Sequence, residues 1–158
     1  MSAPGTDLVV AGALVVDGTG ADPQVTDLAV ADGRVSALGP GLRDSPGAEV
    51  VDGAGLVLCP GFIDLHSHAD FTLAGWPGAD TQLAQGVTTL VLGNCGFSPF
   101  PVDEDGWVQR ATSFLGDELE WDWRDAAGFA RSLTAARPGV NVATQLGLGT
   151  LRAAVVGP

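Results

Sequence analysis

The sequence predicts an α/β chain: a small, sandwich-like β-domain over residues 1–58, then over 59–158 the first part of a (β/α)8 TIM-like barrel, about three βα units. Three observations lead there. Short apolar runs separated by Asp-Gly and Gly-Pro turn signals fill the chain up to Leu58, strand-like and helical patterns alternate after Cys59-Pro60-Gly61, and only about 100 residues remain for that alternation. A closed barrel takes about 250 residues, so the barrel is expected to be incomplete.

The elements follow in order. Leu8 to Ala11 and Leu14 to Val16 are apolar runs before the turn Asp17-Gly18-Thr19-Gly20, and Leu28 to Ala31 leads into Asp32-Gly33. Arg34 to Leu38 continues the strand pattern until Gly39-Pro40-Gly41 breaks it. Val50-Val51 and Leu56 to Leu58 flank a further Asp52-Gly53 turn. Phe62 to His66 then reads as an apolar strand, Asp80 to Gln85 as a short helix, and Val87 to Leu92 as a β-branched strand of the buried type. Ala126, Phe129, Ala130 and Leu133 recur at helical spacing within Asp125 to Ala136, with Arg131 and Arg137 near the C-terminal end and Pro138-Gly139 as the stop. Asn141 to Leu146 is the third strand, and its connections are expected to be right-handed crossovers.

Composition narrows the function classes. The chain is 46% apolar and 16% charged, enough to bury a core. Nineteen acidic residues stand against seven arginines and no lysine, for a net charge of -12, which argues against a surface for nucleic-acid phosphates. MSAPGTDLVV lacks the basic start of a signal peptide, and every apolar run is shorter than the roughly 18 residues of a membrane helix, so no membrane association and a cytoplasmic location are expected. Two cysteines, Cys59 and Cys95, make no disulfide framework.

The candidate chemistry begins at His66 and His68, the chain's only histidines. If they end a strand, a period of two puts both imidazoles on one face, where they can chelate one cation; two hydrogen-bonded, idle histidines are the plainer reading. Asp64 and Asp70 share that parity, and Asp64 is expected beneath His66, as a carboxylate that orients a ligand imidazole. Cys95 follows the second strand in Gly93-Asn94-Cys95-Gly96, between glycines that permit close approach to a metal, although a cysteine is more commonly an inert apolar residue. Neighbouring parallel strands would bring Cys95 near the histidines. Arg152 is a candidate partner for a substrate carboxylate, beside its plainer reading as a surface-helix arginine. Trp107, Trp121 and Trp123 lie in the acidic segment Val102 to Asp125, which would cover the site mouth or, more plainly, pack as an insertion; its acids Asp103, Glu104, Asp105, Asp117, Glu118 and Glu120 are read as a solvated face.

PGFIDLHSHAD at 60–70 resembles the PGxIDxHxH strand of the amidohydrolase superfamily, and the first 58 residues resemble the small β-domain before its barrel. GVTTLVLGNCGFSPFP at 86–101 is similar to the D-aminoacylase branch, the N-acyl-D-amino-acid deacylases, as is NVATQLGLGTLRAAVVG at 141–157. The resemblance implies hydrolysis of an N-acyl amino acid by a divalent metal, usually zinc, held by His66, His68 and Cys95. It also implies a carboxylate general base after a late strand. No catalytic residue of that kind is assigned here, because it is expected beyond residue 158, and the chain alone is then expected to be inactive. One departure falls inside the matched region: Gly147-Leu148-Gly149 carries leucine where the branch commonly has histidine.

Two rivals stand beside this reading. A cyclic amidohydrolase of hydantoinase-like or dihydroorotase-like type would leave Cys95 idle and use a carboxylated lysine on a later strand. A non-catalytic truncated copy, or a half-barrel subunit, would expose strand edges and so self-associate or pair with a complementing chain.

Overall fold

The computed structural model describes residues 5–115 and 121–157. Asp117, Glu118 and Glu120 lie outside the described residues. The chain divides into two compact units, one up to Pro60 and one from Gly61.

The first unit is a mixed sheet of β1 (Leu8–Val15), β2 (Gln24–Ala31), β3 (Arg34–Gly39), β4 (Glu49–Asp52) and β5 (Val57–Leu58). The order is β3-β2-β1-β4, and β5 also pairs with β1. Its described residues thus form one sheet, where a sandwich would have two packed face to face. Strict alternation along β1 buries Val9, Ala11, Ala13 and Val15, and the core gathers Val9, Ala11, Ala29 and Leu42. The two runs read from Leu8 and Leu14 are one strand with an irregularity: the register with β2 shifts between Val10 and Ala13, where Gly12 has φ +72°. Asp27 holds this bulge. One carboxylate oxygen accepts the Gly12 N–H at 2.8 Å and the other the Leu42 N–H at 3.0 Å. Desolvation opposes the charged form of Asp27, but N–H groups from Gly12, Leu42, Arg43 and Gly41 outweigh it and hold the pKa below the ordinary 3.8.

The second unit contains three parallel strands, β6 (Phe62–Asp64), β7 (Val87–Leu92) and β8 (Asn141–Thr144), in the order β6-β7-β8. Between them lie α1 (Asp80–Leu83), α2 (Trp107–Thr112) and α3 (Ala126–Ala136), and α4 (Leu148–Val156) follows β8. Gly61 leads into β6 without a side chain because a Cβ there would stand 2.1 Å from the Thr88 hydroxyl. The core packs Leu90 and Leu92 of β7 against Ala69, Leu73, Phe100, Trp123, Phe129, Leu133 and Val140. Asp125 caps α3 by accepting the Gly128 N–H at 2.7 Å. The buried stripe of α3 is Gly128, Phe129 and Leu133; Ala126 and Ala130 are exposed, because the larger side chains turn the helix onto the core and leave the alanines outside.

Two expectations for residues 102–125 are refined. Trp123 is 3% exposed, stacks on Trp121 at 5.2 Å and donates its indole N–H to the Pro99 carbonyl at 2.7 Å, so it is a core anchor. Asp103 is more than a solvated charge: its carboxylate accepts the N–H groups of Trp107 and Val108 at 2.9 and 3.2 Å, at the start of α2. Among the described residues no helix is long and apolar enough to cross a membrane.

Candidate metal centre

β6 stops at Asp64, two residues short of His66, so strand pleat is not what aligns the histidines. The reason is local. The Asp64 carboxylate accepts the His66 backbone N–H at 3.0 Å, an Asx-type bond that turns the chain out of the ladder. A second such link runs from the Ala69 N–H to the Ser67 hydroxyl at 3.2 Å, and residues Ala69–Phe71 then form a 3-10 turn. His66 and His68 are carried on this turn with ring centroids 5.7 Å apart and planes at 72°. Asp64 therefore acts on the His66 backbone, where the sequence pointed to the imidazole.

Cys95 arrives from the end of β7. Gly93, Cys95 and Gly96 all have positive φ, +83°, +56° and +81°, and this tight path returns the thiol toward the turn. Its Sγ lies 3.1 Å from His66 Nε2. One ligand atom from each of His66, His68 and Cys95 falls within 4.8 Å of the others. His66 and Cys95 are exposed and His68 is half-buried, so two of the three donor residues face solvent.

The donor set fits a divalent transition metal. Two imidazole nitrogens and a thiolate are zinc's usual partners, and three protein ligands leave the open position typical of catalytic sites. Zinc–nitrogen and zinc–sulfur distances of about 2.0 and 2.3 Å at a tetrahedral angle separate N and S by about 3.5 Å, so the His66–Cys95 contact needs to open by about half an ångström. His68 Nδ1 is buried without a hydrogen-bond partner among the described residues, an unmatched polar atom on a ring that carries one of the three donors.

Asp70 is 1% exposed. One of its oxygens accepts the Gly93 N–H at 3.1 Å, and the other has no partner among the described residues. Burial pushes its pKa up from 3.8 to about 6, against the opposing effect of the Gly93, Asp70 and Phe71 N–H groups. Arg152 sits exposed on α4, where its guanidinium donates to the Gly157 carbonyl at 3.3 Å, at the end of its own helix. Leu148 opens α4 and is 75% exposed.

Three residues escaped the sequence reading. Asn94 donates from Nδ2 to the carbonyls of Val91 and Ser67 at 2.8 and 3.3 Å. Ser98, fully buried, accepts the Gly147 N–H on its hydroxyl at 3.0 Å, and its own N–H goes to the buried Thr150 hydroxyl at 2.9 Å. Together with a Thr150 N–H bond to the Gly96 carbonyl at 3.0 Å, these contacts pin the Cys95 loop to the start of α4. An asparagine directly before a cysteine between glycines was the one available signal, since such residues bond local backbone.

Comparison with known proteins places these features in context. The sequence model of the amidohydrolase family matches residues 49–156. The chain is 38% identical over 150 residues to an N-acyl-D-aspartate deacylase of Alcaligenes xylosoxydans xylosoxydans, covering 95% of this chain and 30% of that protein. It resembles the crystal structure of N-acyl-D-glutamate deacylase from Bordetella bronchiseptica, complexed with zinc and a phosphonate mimic of the tetrahedral intermediate. That likeness has a TM-score of 0.88 and 36% identity, over 98% of this chain and 32% of that one. A D-aminoacylase structure with a binuclear metal centre, described in terms of one-metal activation and second-metal attenuation, gives a TM-score of 0.78 and 34% identity, over 97% and 32% of the two chains. The chain thus spans about a third of the length of these relatives.

Proposed function

Since the chain belongs to the amidohydrolase family, we propose that it provides the metal-binding part of a hydrolase that cleaves linear amide bonds, with N-acyl-D-amino acids as substrates. The observation that carries this reading is the convergence of His66, His68 and Cys95 to within 4.8 Å. The deacylase relatives, one of them complexed with zinc, support the choice of substrate and metal. Zinc held by the three donors would supply Lewis acidity toward an amide carbonyl and toward water.

The chain's own residues prepare that site. His66 and His68 offer imidazole nitrogens from a turn that Asp64 holds through the His66 N–H. Cys95 offers its sulfur from a loop tied down by Ser98 and Thr150. The group that moves protons between water and the leaving amine is proposed to lie beyond residue 158: no histidine follows His68, and no other carboxylate joins the cluster among the described residues. Deacylation then requires that remaining part. The cyclic-amide alternative, in which Cys95 is idle, gains nothing from a thiol 3.1 Å from His66.

Zinc competition against a chromophoric chelator tests the assignment in the 158-residue chain. One equivalent is expected to bind, and loading with cobalt(II) is expected to give a thiolate-to-metal absorption band in the near ultraviolet. Cys95→Ala should abolish that band and weaken zinc binding by more than about 100-fold, beyond the 10–100-fold typical for residues behind the ligands. A chain that binds no zinc, or a Cys95→Ala variant that binds it unchanged, refutes the assignment.

A further inference from the structure

The ladder between β6 and β7 ends at the pair Asp64–Leu90, so backbone pairing no longer sets the register of the two segments that carry the donors. Past that point two side chains cross in opposite directions. Asn94, next to Cys95, donates 3.3 Å to the carbonyl of Ser67, which lies between His66 and His68, while also donating 2.8 Å to Val91. Asp70, two residues past His68, accepts the N–H of Gly93, two residues before Cys95, at 3.1 Å. Each segment thus holds the other's backbone through one side chain. Beyond these two and the His66–Cys95 donor contact itself, the Ser67 N–H reaches the Val91 carbonyl at 3.4 Å. From this reciprocal arrangement we infer that Asp70 and Asn94 are positioning residues that keep the Cys95 loop in register with the His66–His68 turn, so that the donor atoms stand converged before a cation arrives.

The chemistry of the pair supports more than a packing role. Asp70 is 1% exposed and one of its oxygens lacks a partner among the described residues, an expensive way to hold one N–H of the neighbouring segment if stability alone were served. Metal sites tolerate only about 0.2 Å in ligand distance, so a loop free to slide by an ångström would have to be ordered by the metal itself, at the expense of affinity. Residues behind metal ligands typically change affinity by about 10–100-fold when removed.

The inference rests on the metal reading above, and the test separates the two. Zinc affinity and the cobalt(II) spectrum are measured for the unaltered 158-residue chain and for Asn94→Ala, Asn94→Asp, Asp70→Ala and Asp70→Asn. Asn94→Asp keeps the size of the side chain but removes the donor, whereas Asp70→Asn keeps an acceptor oxygen. Asn94→Ala, Asn94→Asp and Asp70→Ala are expected to weaken zinc binding about 10–100-fold and to shift the cobalt bands, with Asp70→Asn close to the unaltered chain. A purely structural role would lower the denaturation midpoint while leaving affinity and spectrum of the folded protein unchanged. If the unaltered chain and all four variants bind zinc within about threefold, the clamp is wrong and the metal reading survives. If the unaltered chain binds none, both fall.

Discussion

Replacing Gly147 by alanine should disturb the Cys95 loop from the far side. Gly147 has φ -68° and ψ 120°, which any residue adopts, so its lack of a side chain serves space alone. A Cβ there would lie 2.5 Å from the Gly96 oxygen and the Phe97 carbonyl carbon, and 2.7 Å from the Gly96 carbonyl carbon. All three are backbone atoms that cannot swing aside, so α4 or the loop must retreat by about an ångström to reach ordinary contact. That movement stretches the bonds from Gly147 to Ser98, Ser98 to Thr150 and Thr150 to Gly96, at 3.0, 2.9 and 3.0 Å. Overpacking costs about 1–3 kcal/mol, and one buried group left unbonded about 1–3 more. Against this, alanine restricts the unfolded chain by under about 1 kcal/mol. The net expectation is a loss of about 1–5 kcal/mol. Urea denaturation followed by tryptophan fluorescence measures it in the relevant unit, because all four tryptophans lie beyond residue 61. Gly149→Ala is the milder comparison: its Cβ would meet one backbone atom below 3 Å, the Gly96 oxygen at 2.9 Å, and gains about 1 kcal/mol of helix propensity, so a smaller loss of about 0–2 kcal/mol is expected. A Gly147→Ala loss below about 0.5 kcal/mol would show that the close approach does not constrain the loop.

Two further outcomes concern the rest of the chain. Asp27→Ala should destabilise the first unit by about 1–3 kcal/mol at pH 7, by removing two charge-assisted bonds at a partly exposed site. Because the folded pKa lies below the unfolded 3.8, this stabilisation is complete above about pH 4 and disappears as pH falls through the folded value. Urea melts of both proteins by circular dichroism at pH 7 and pH 3 should therefore differ more at pH 7; an equal difference at both refutes the carboxylate's role. Trp123→Phe leaves the Pro99 carbonyl without its 2.7 Å donor and opens space beside Trp121 and Phe129, for an expected loss of about 2–4 kcal/mol in urea denaturation. A variant as stable as the parent would remove Trp123 from the list of core anchors.

What was legible in the sequence was set by local chemistry. Val87–Leu92 could be read because a β-branched run lies between Gly86 and Gly93, and α3 because its apolar spacing is bracketed by Asp125 and Pro138. The strand at Phe62 was read two residues too long, since apolarity continues through Leu65 while the Asp64 side chain already takes the His66 N–H. β1 was read as two runs because the partner of its bulge, Asp27, is 15 residues away from Gly12. The spacing of His66 and His68 drew attention to the right segment, but what brings them toward Cys95 is a turn, an asparagine and a buried aspartate. The turn is local, but the asparagine and aspartate contacts reach across 27 and 23 residues and carry no periodic signature.

The backbone of Cys95 has one more implication. A non-glycine residue at φ +56° costs about 1–2 kcal/mol relative to glycine, and this residue is neither buried nor part of a hydrophobic cluster that would repay the strain. Glycine would relax the loop at once. Evolution or engineering guided only by thermal resistance would therefore drift toward losing the thiol first, so heat-hardened descendants of this chain should be screened for the sulfur before they are screened for their melting point.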